Sequence, residues 1–194
     1  IMGAYAGVYK LAIFMALYIQ AFRLGAEPFF FNQYNKKNAR LMYADILQYF
    51  VLAGSAMLLG LVVFLDLFKL LIVPNEEYWV TIAIVPVILL ANLCLGIYHN
   101  LSIWYKLTDK TKVGMYISLL GALITVVLNL VFIPVYGFMA AAWTTLAAYG
   151  SMMLLSYYLG QKHYPVPYDL KRIGGYLLLS VGLSVLSFHG FRNN

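Results

Sequence analysis

The segment YKLTDKTKVGMYISLLGALITVVLNLVFIPVYG, residues 105–137, sets a short basic loop before an apolar run that closes on a proline and a glycine. Between positions 113 and 133 it holds no charged side chain. At about 1.5 Å of rise per residue, a run of that length crosses a hydrocarbon core of about 30 Å as a single helix. The stretch reads as a membrane span, and the rest of the chain repeats the pattern.

Hydrophobic residues make up 63% of the chain and charged residues 10%, whereas soluble domains hold about half and about a quarter. A backbone in lipid must satisfy its own hydrogen bonds, and the long uniform runs lack the alternation of a transmembrane barrel. The fold class expected is therefore all-α, a polytopic transmembrane helical bundle of about six spans in a single domain, residues 1–194. The spans fall at 3–21, 43–73, 78–104, 113–133, 138–159 and 173–188.

Gly3 and Gly7 form a small-xxx-small pair on the first span. Pro28 is expected to break any continuing helix, leaving 22–42 as a connection at headgroup depth with Phe29, Phe30, Phe31 and Tyr34. Asp45 sits in the first turn of the second span, where the helix dipole favours a carboxylate. Pro74, Asn75, Glu76 and Glu77 form a polar turn, Tyr78 and Trp79 anchor the third span, and Pro86 is expected to kink it. Pro134 is expected to end the fourth span at Ile133, with a tight turn from Val135 to Gly137. The small residues that follow, Ala140, Ala141, Ala142, Thr144 and Thr145, predict a closely packed hairpin with the fifth span. Asp169 is placed to cap the sixth.

The net charge of +6 is explained by topology, not by nucleic acid. Ten of the thirteen basic residues (Arg23, Lys36, Lys37, Arg40, Lys106, Lys110, Lys112, Lys162, Lys171, Arg172) fall on one side of the alternating spans, while Lys69 and Arg192 fall on the other. The positive-inside rule puts the basic side in the cytoplasm, so the first span runs from outside to inside. The single cysteine, Cys94, excludes an internal disulfide and reads as a small core side chain. The chain opens at Ile1 in an apolar segment with no basic n-region, as a piece of a longer protein would.

The pattern contains no metal cluster, no glycine-rich phosphate loop and no nucleophile beside a base, and His99, His163 and His189 are widely separated. Neither an enzyme nor a cofactor is expected. Chemistry then rests on polar groups at membrane depth, which are expensive there. Lys10 admits two placements: its stem snorkels to the headgroups, or its ammonium faces a cavity and pairs with an anionic substrate such as a phosphate. Asn129, Asn92 and Asn100 either line a cavity or bridge helices by amide hydrogen bonds. Arg23 and Glu27 lie four residues apart and would pair on a continuing helix.

Three stretches together resemble a known family. These are GAYAGVYKLAIFMALYIQAFRLGAEPFFF (3–31), IVPVILLANLCLGIYHNLSIWYKLTDKTKVG (84–114) and LNLVFIPVYGFMAAAWTTLAAYG (128–150). They look like the second half of a polysaccharide flippase of the Wzx type, in the multidrug/oligosaccharidyl-lipid/polysaccharide exporter (MOP) superfamily. The resemblance implies one lobe of a MATE/MOP-like two-lobe transporter of about twelve to fourteen spans, with a missing N-terminal lobe and alternating access around a central cavity. It implies translocation of undecaprenyl-pyrophosphate-linked oligosaccharide across the bacterial inner membrane, for surface polysaccharide or lipopolysaccharide biosynthesis. Its partners would be the lipid bilayer and the lipid-linked oligosaccharide, with Lys10 and Arg23 as candidate contacts to the pyrophosphate. The rivals are a multidrug or small-cation antiporter of the same superfamily and a membrane polysaccharide polymerase or ligase. The antiporter would call for an intramembrane carboxylate, the polymerase for a long outer loop.

Overall fold

The computed structural model describes residues 2–72 and 82–190, all of them in helices or short connections. The helices are α1 (Met2–Gln33), α2 (Ala39–Val63), α3 (Leu65–Ile72), α4 (Val85–Leu101), α5 (Ile103–Leu107), α6 (Thr111–Tyr136), α7 (Phe138–His163) and α8 (Leu170–Gly190). Among the described residues five helical stretches are long and apolar enough to cross a membrane: Ala39–Val63, Ile82–Leu107, Thr111–Tyr136, Phe138–His163 and Leu170–Ser187. This points to a helical membrane protein. α1 covers the first expected span and runs on to 32 residues, but it is not one of the five. The side chains of residues 2–9 lie outside the described residues, so the apolar start of α1 does not enter that count.

α4 is the hub. It packs most extensively against α7 and also contacts α1 and α2, while α6 packs on α7 and α8 on α2. Met15, Phe50, Val51, Ile84, Leu89 and Leu93 are sealed in the core these helices share. Close approach is possible because α4 presents Gly96 to Phe50, where an added Cβ would lie 2.5 Å from the ring. The Tyr18 ring stacks on that ring at 5.1 Å, its hydroxyl donates to the Phe50 carbonyl at 2.8 Å, and Phe22 packs at 4.6 Å.

A second core gathers one end of the bundle. Phe30, Ala39, Tyr43, Ile103, Leu107 and Val166 bury together, so the α1–α2 corner, α5 and the α7–α8 connection meet there. The Tyr43 hydroxyl donates to the Phe30 carbonyl at 2.9 Å, and the Arg40 guanidinium lies 4.7 Å from the centre of the Tyr164 ring. Ten of the basic residues belong to the segments around this end, called the basic end below.

The prolines depart from expectation. α1 continues through Pro28 to Gln33, so the first connection shrinks to 34–38. The ring removes the helical donor to the carbonyl of Leu24, but Leu24 is 68% exposed, where water or headgroups can replace the bond. α6 likewise passes through Pro134 to Tyr136, and the turn reduces to Gly137, whose φ of 61° suits glycine and whose N–H reaches the Ile133 carbonyl at 2.8 Å. Pro86 does not kink a span. It stands in the first turn of α4, after a 3₁₀ turn at 82–84, where a missing N–H costs little.

Other boundaries also shift. The second span breaks at Phe64 into α2 and α3, and the third breaks at Ser102 into α4 and α5. Because α2 begins at Ala39, Asp45 is in its second turn, away from the free N–H groups. Asp169 caps α8 as expected: its carboxylate accepts from the Arg172 N–H at 3.1 Å and pairs with that guanidinium at 3.0 Å. The turn at Pro74 to Glu77, Tyr78 and Trp79, and Arg192 lie outside the described residues, as do the surroundings of Gly3, Gly7 and Lys69.

Candidate functional site

The polar residues singled out at membrane depth separate into bridges and one cluster. Asn92 is buried on α4, and its amide donates to the Ala12 carbonyl of α1 at 3.4 Å. On the α6–α7 hairpin the Thr144 hydroxyl donates to the Asn129 side-chain oxygen. Each ties two helices together with a group that would otherwise be unpaired in hydrocarbon. These two asparagines are placed as helix bridges.

Arg23 and Asn100 come together instead. They line one small cavity of about 10 Å³ with Glu27 and His99, walled by Ile19, Phe22, Phe30, Phe50 and Ile103. α1 brings Arg23 and Glu27 to the same face one turn apart, and the end of α4 brings His99 and Asn100. The expected Arg23–Glu27 pair does not form. Glu27 instead takes the Lys106 ammonium of α5, across 79 residues of sequence. Ser102, between α4 and α5, keeps a helical backbone, its N–H bonding the Tyr98 carbonyl at 2.8 Å and its hydroxyl donating to the His99 carbonyl at 2.6 Å.

The cluster is unbalanced in charge. Arg23 and Lys106 face one carboxylate, and no carboxylate pairs with Arg23 among the described residues. Asn100 is 93% buried by its 7% exposure; its amide N–H₂ donates to the Gly96 carbonyl at 3.2 Å, but its side-chain oxygen has no partner. A buried acceptor left open costs about 1–3 kcal/mol, so the oxygen calls for a donor from a water or a ligand hydroxyl. The cavity has room for about one water. The Glu27 and Lys106 side chains remain 37% and 30% exposed, which leaves the pair open to exchange.

Lys10 stands apart from this cluster. It is exposed on α1, thirteen residues before Arg23, which is about 20 Å along the axis and on nearly the opposite face. Glu27, His99 and Lys106 are the cluster members that sequence reasoning did not assign to a site. The one available signal was that Glu27 is the sole acidic residue among the bases of the first basic segment.

Two larger clefts lie elsewhere in the bundle. One, of about 450 Å³, is lined by Leu128, Phe132, Tyr136 and Trp143 of the α6–α7 hairpin. The other, of about 260 Å³, is lined by Pro86, Leu90, Trp143 and Val181 and carries the unpartnered Ser184 hydroxyl. Their walls are apolar and bring no set of polar groups to a focus. Among the described residues no group of three or more His, Cys, Asp and Glu side chains could hold a metal ion. Neither protein-family models, nor curated proteins, nor solved structures gave a match to this chain.

Proposed function

We propose that this chain is part of a polysaccharide flippase of the Wzx type, moving undecaprenyl-pyrophosphate-linked oligosaccharide from the cytoplasmic to the outer leaflet of a bacterial inner membrane. The observation that carries this reading is the Arg23, Glu27, His99, Asn100 and Lys106 cluster at the basic end of a bundle with five membrane-length helices. A pyrophosphate needs cations held at the depth of the headgroups, and Arg23 supplies one that no carboxylate pairs with among the described residues. A saccharide supplies hydroxyl donors, and the Asn100 oxygen is an open acceptor. Lys10, exposed on α1 away from this cluster, is a separate proposed contact to the anionic cargo.

The carrier makes and breaks no bond. It needs two states of differing affinity for the cargo, and the second lobe implied by the family resemblance would supply the opposing wall. Exposed apolar faces, such as Leu119, Leu123, Val126 and Leu130 on α6, suit contact with acyl chains. The test is translocation in proteoliposomes containing the full-length protein. Lipid-linked oligosaccharide should become accessible to an external glycosidase only when the protein is present. Efflux of cationic dyes without movement of the oligosaccharide would replace this reading with the antiporter.

A further inference from the structure

The contact between Glu27 and Lys106 joins two helices at the rim of the cavity that Arg23 lines. Its side chains are about one third exposed, so neither charge carries the penalty that locks a buried ion pair in place. Pairs this exposed contribute little to stability, and another anion can replace the carboxylate at modest cost. Arg23 sits one turn from Glu27 on the same face of α1 and has no carboxylate partner among the described residues. Independently, the buried Asn100 oxygen at the same cavity has an unmet need for a donor.

The geometry points to an exchange site for a phosphate-bearing headgroup, in which Glu27 is an internal competitor. With the site empty, the Glu27 carboxylate holds Lys106. An arriving phosphate displaces it and is held between Lys106 and Arg23, while a hydroxyl of the ligand or a bridging water donates to Asn100. The released Glu27 then repels the bound phosphate, so the carboxylate sets an upper bound on affinity, as a carrier that must also release its cargo requires. Only ionic contacts and hydrogen bonds are exchanged. This inference rests on the cargo reading above, because it names the role of the same cluster.

The experiment uses the full-length protein in nanodiscs with two probes, inorganic pyrophosphate in solution and phosphatidic acid doped into the disc. Glu27→Gln should tighten binding of a phosphate probe about two- to fivefold, the scale of an exposed pair. Lys106→Gln should weaken it about tenfold, the scale of a charge-assisted bond, and Lys106→Arg should restore much of the loss. In the double variant Glu27→Gln with Lys106→Gln, the tightening should vanish. Monodisperse elution of each variant guards against misfolding, and Glu27→Asp, which keeps the charge on a shorter stem, supplies a second variant at the same position that should bind no more weakly than wild type. Unchanged or weaker binding by Glu27→Gln overturns the exchange. A response to pyrophosphate with none to phosphatidic acid keeps the exchange and overturns the lipid-linked cargo.

Discussion

α4 and α6 are both long apolar helices, with mean hydropathies of 2.1 and 2.4 over their span windows, yet 67% of the first window is buried and 11% of the second. Hydropathy makes both apolar enough to cross a membrane and says nothing about which faces protein. Both helices gather their small and polar residues on one stripe, and the difference lies in what covers their large apolar residues. On α4, Asn92, Gly96, His99 and Asn100 recur at spacings of three and four and face α1 and α2, while Ile88, Leu89, Leu93 and Ile97 are buried as well. α6 confines Gly114, Ser118, Gly121, Thr125 and Asn129 to one stripe: Gly114 lies under the Tyr105 ring, Ser118 meets the Tyr98 hydroxyl at 3.3 Å, and Asn129 takes the Thr144 hydroxyl. Ile117 is buried beside that stripe, and most of the remaining side chains of α6, such as Leu119, Leu123, Val126 and Leu130, are large, apolar and exposed. A helix whose apolar faces stay open packs along its stripe alone, and a helix whose large apolar residues are covered as well becomes a hub.

The strongest challenge to that contrast is Gly96→Leu. Phe50 is 1% exposed and held by Tyr18 and Phe22, so it cannot yield, and the substitution should cost about 3 kcal/mol or prevent folding. Leu123→Phe on the open face of α6 should change stability by less than about 0.5 kcal/mol. Thermal denaturation in detergent, followed by size-exclusion recovery, measures both. Equal losses would dissolve the distinction between hub and periphery.

A gentler version compares the same truncation in the two helices. Leu89 is 0% exposed and Leu130 is 73% exposed. Leu89→Ala should lose about 2 kcal/mol or more through the cavity it leaves, whereas Leu130→Ala should be near neutral. Smaller still is Asn92→Leu, which removes one amide bond to the Ala12 carbonyl and should cost about 0.6 kcal/mol. A loss several times larger would mean that Asn92 does more than bridge two helices.

How much of this was legible in the sequence divides along the range of the interactions. The all-helical class, the α6–α7 hairpin and the Asp169 cap rest on local signals, namely apolar length, a run of small residues and an acid before a helix. Pro28 and Pro134 misled because the residues that lose a helical bond to them, Leu24 and Leu130, are exposed, where water or headgroups can take that bond's place. The site was half legible. Arg23 and Asn100 stand out as polar groups near span ends, but the Glu27–Lys106 contact spans 79 residues, and nothing local favours it over the i,i+4 pair with Arg23. It is set by how α1 packs on α4 and α5, which no local pattern records.

The orientation is open to labelling. Single cysteines at positions 110 and 76 of a chain with Cys94 replaced should react differently with an impermeant maleimide added to intact cells. Position 76 should label and position 110 should not, and the reverse pattern would invert the bundle.

The most direct measurement of the central claim is the amount of surface polysaccharide made by cells carrying Arg23→Ala in the full-length protein at unchanged expression. If the cluster at the basic end holds the pyrophosphate, loss of its unpaired cation should reduce the polysaccharide about tenfold or more. Wild-type levels would contradict the account.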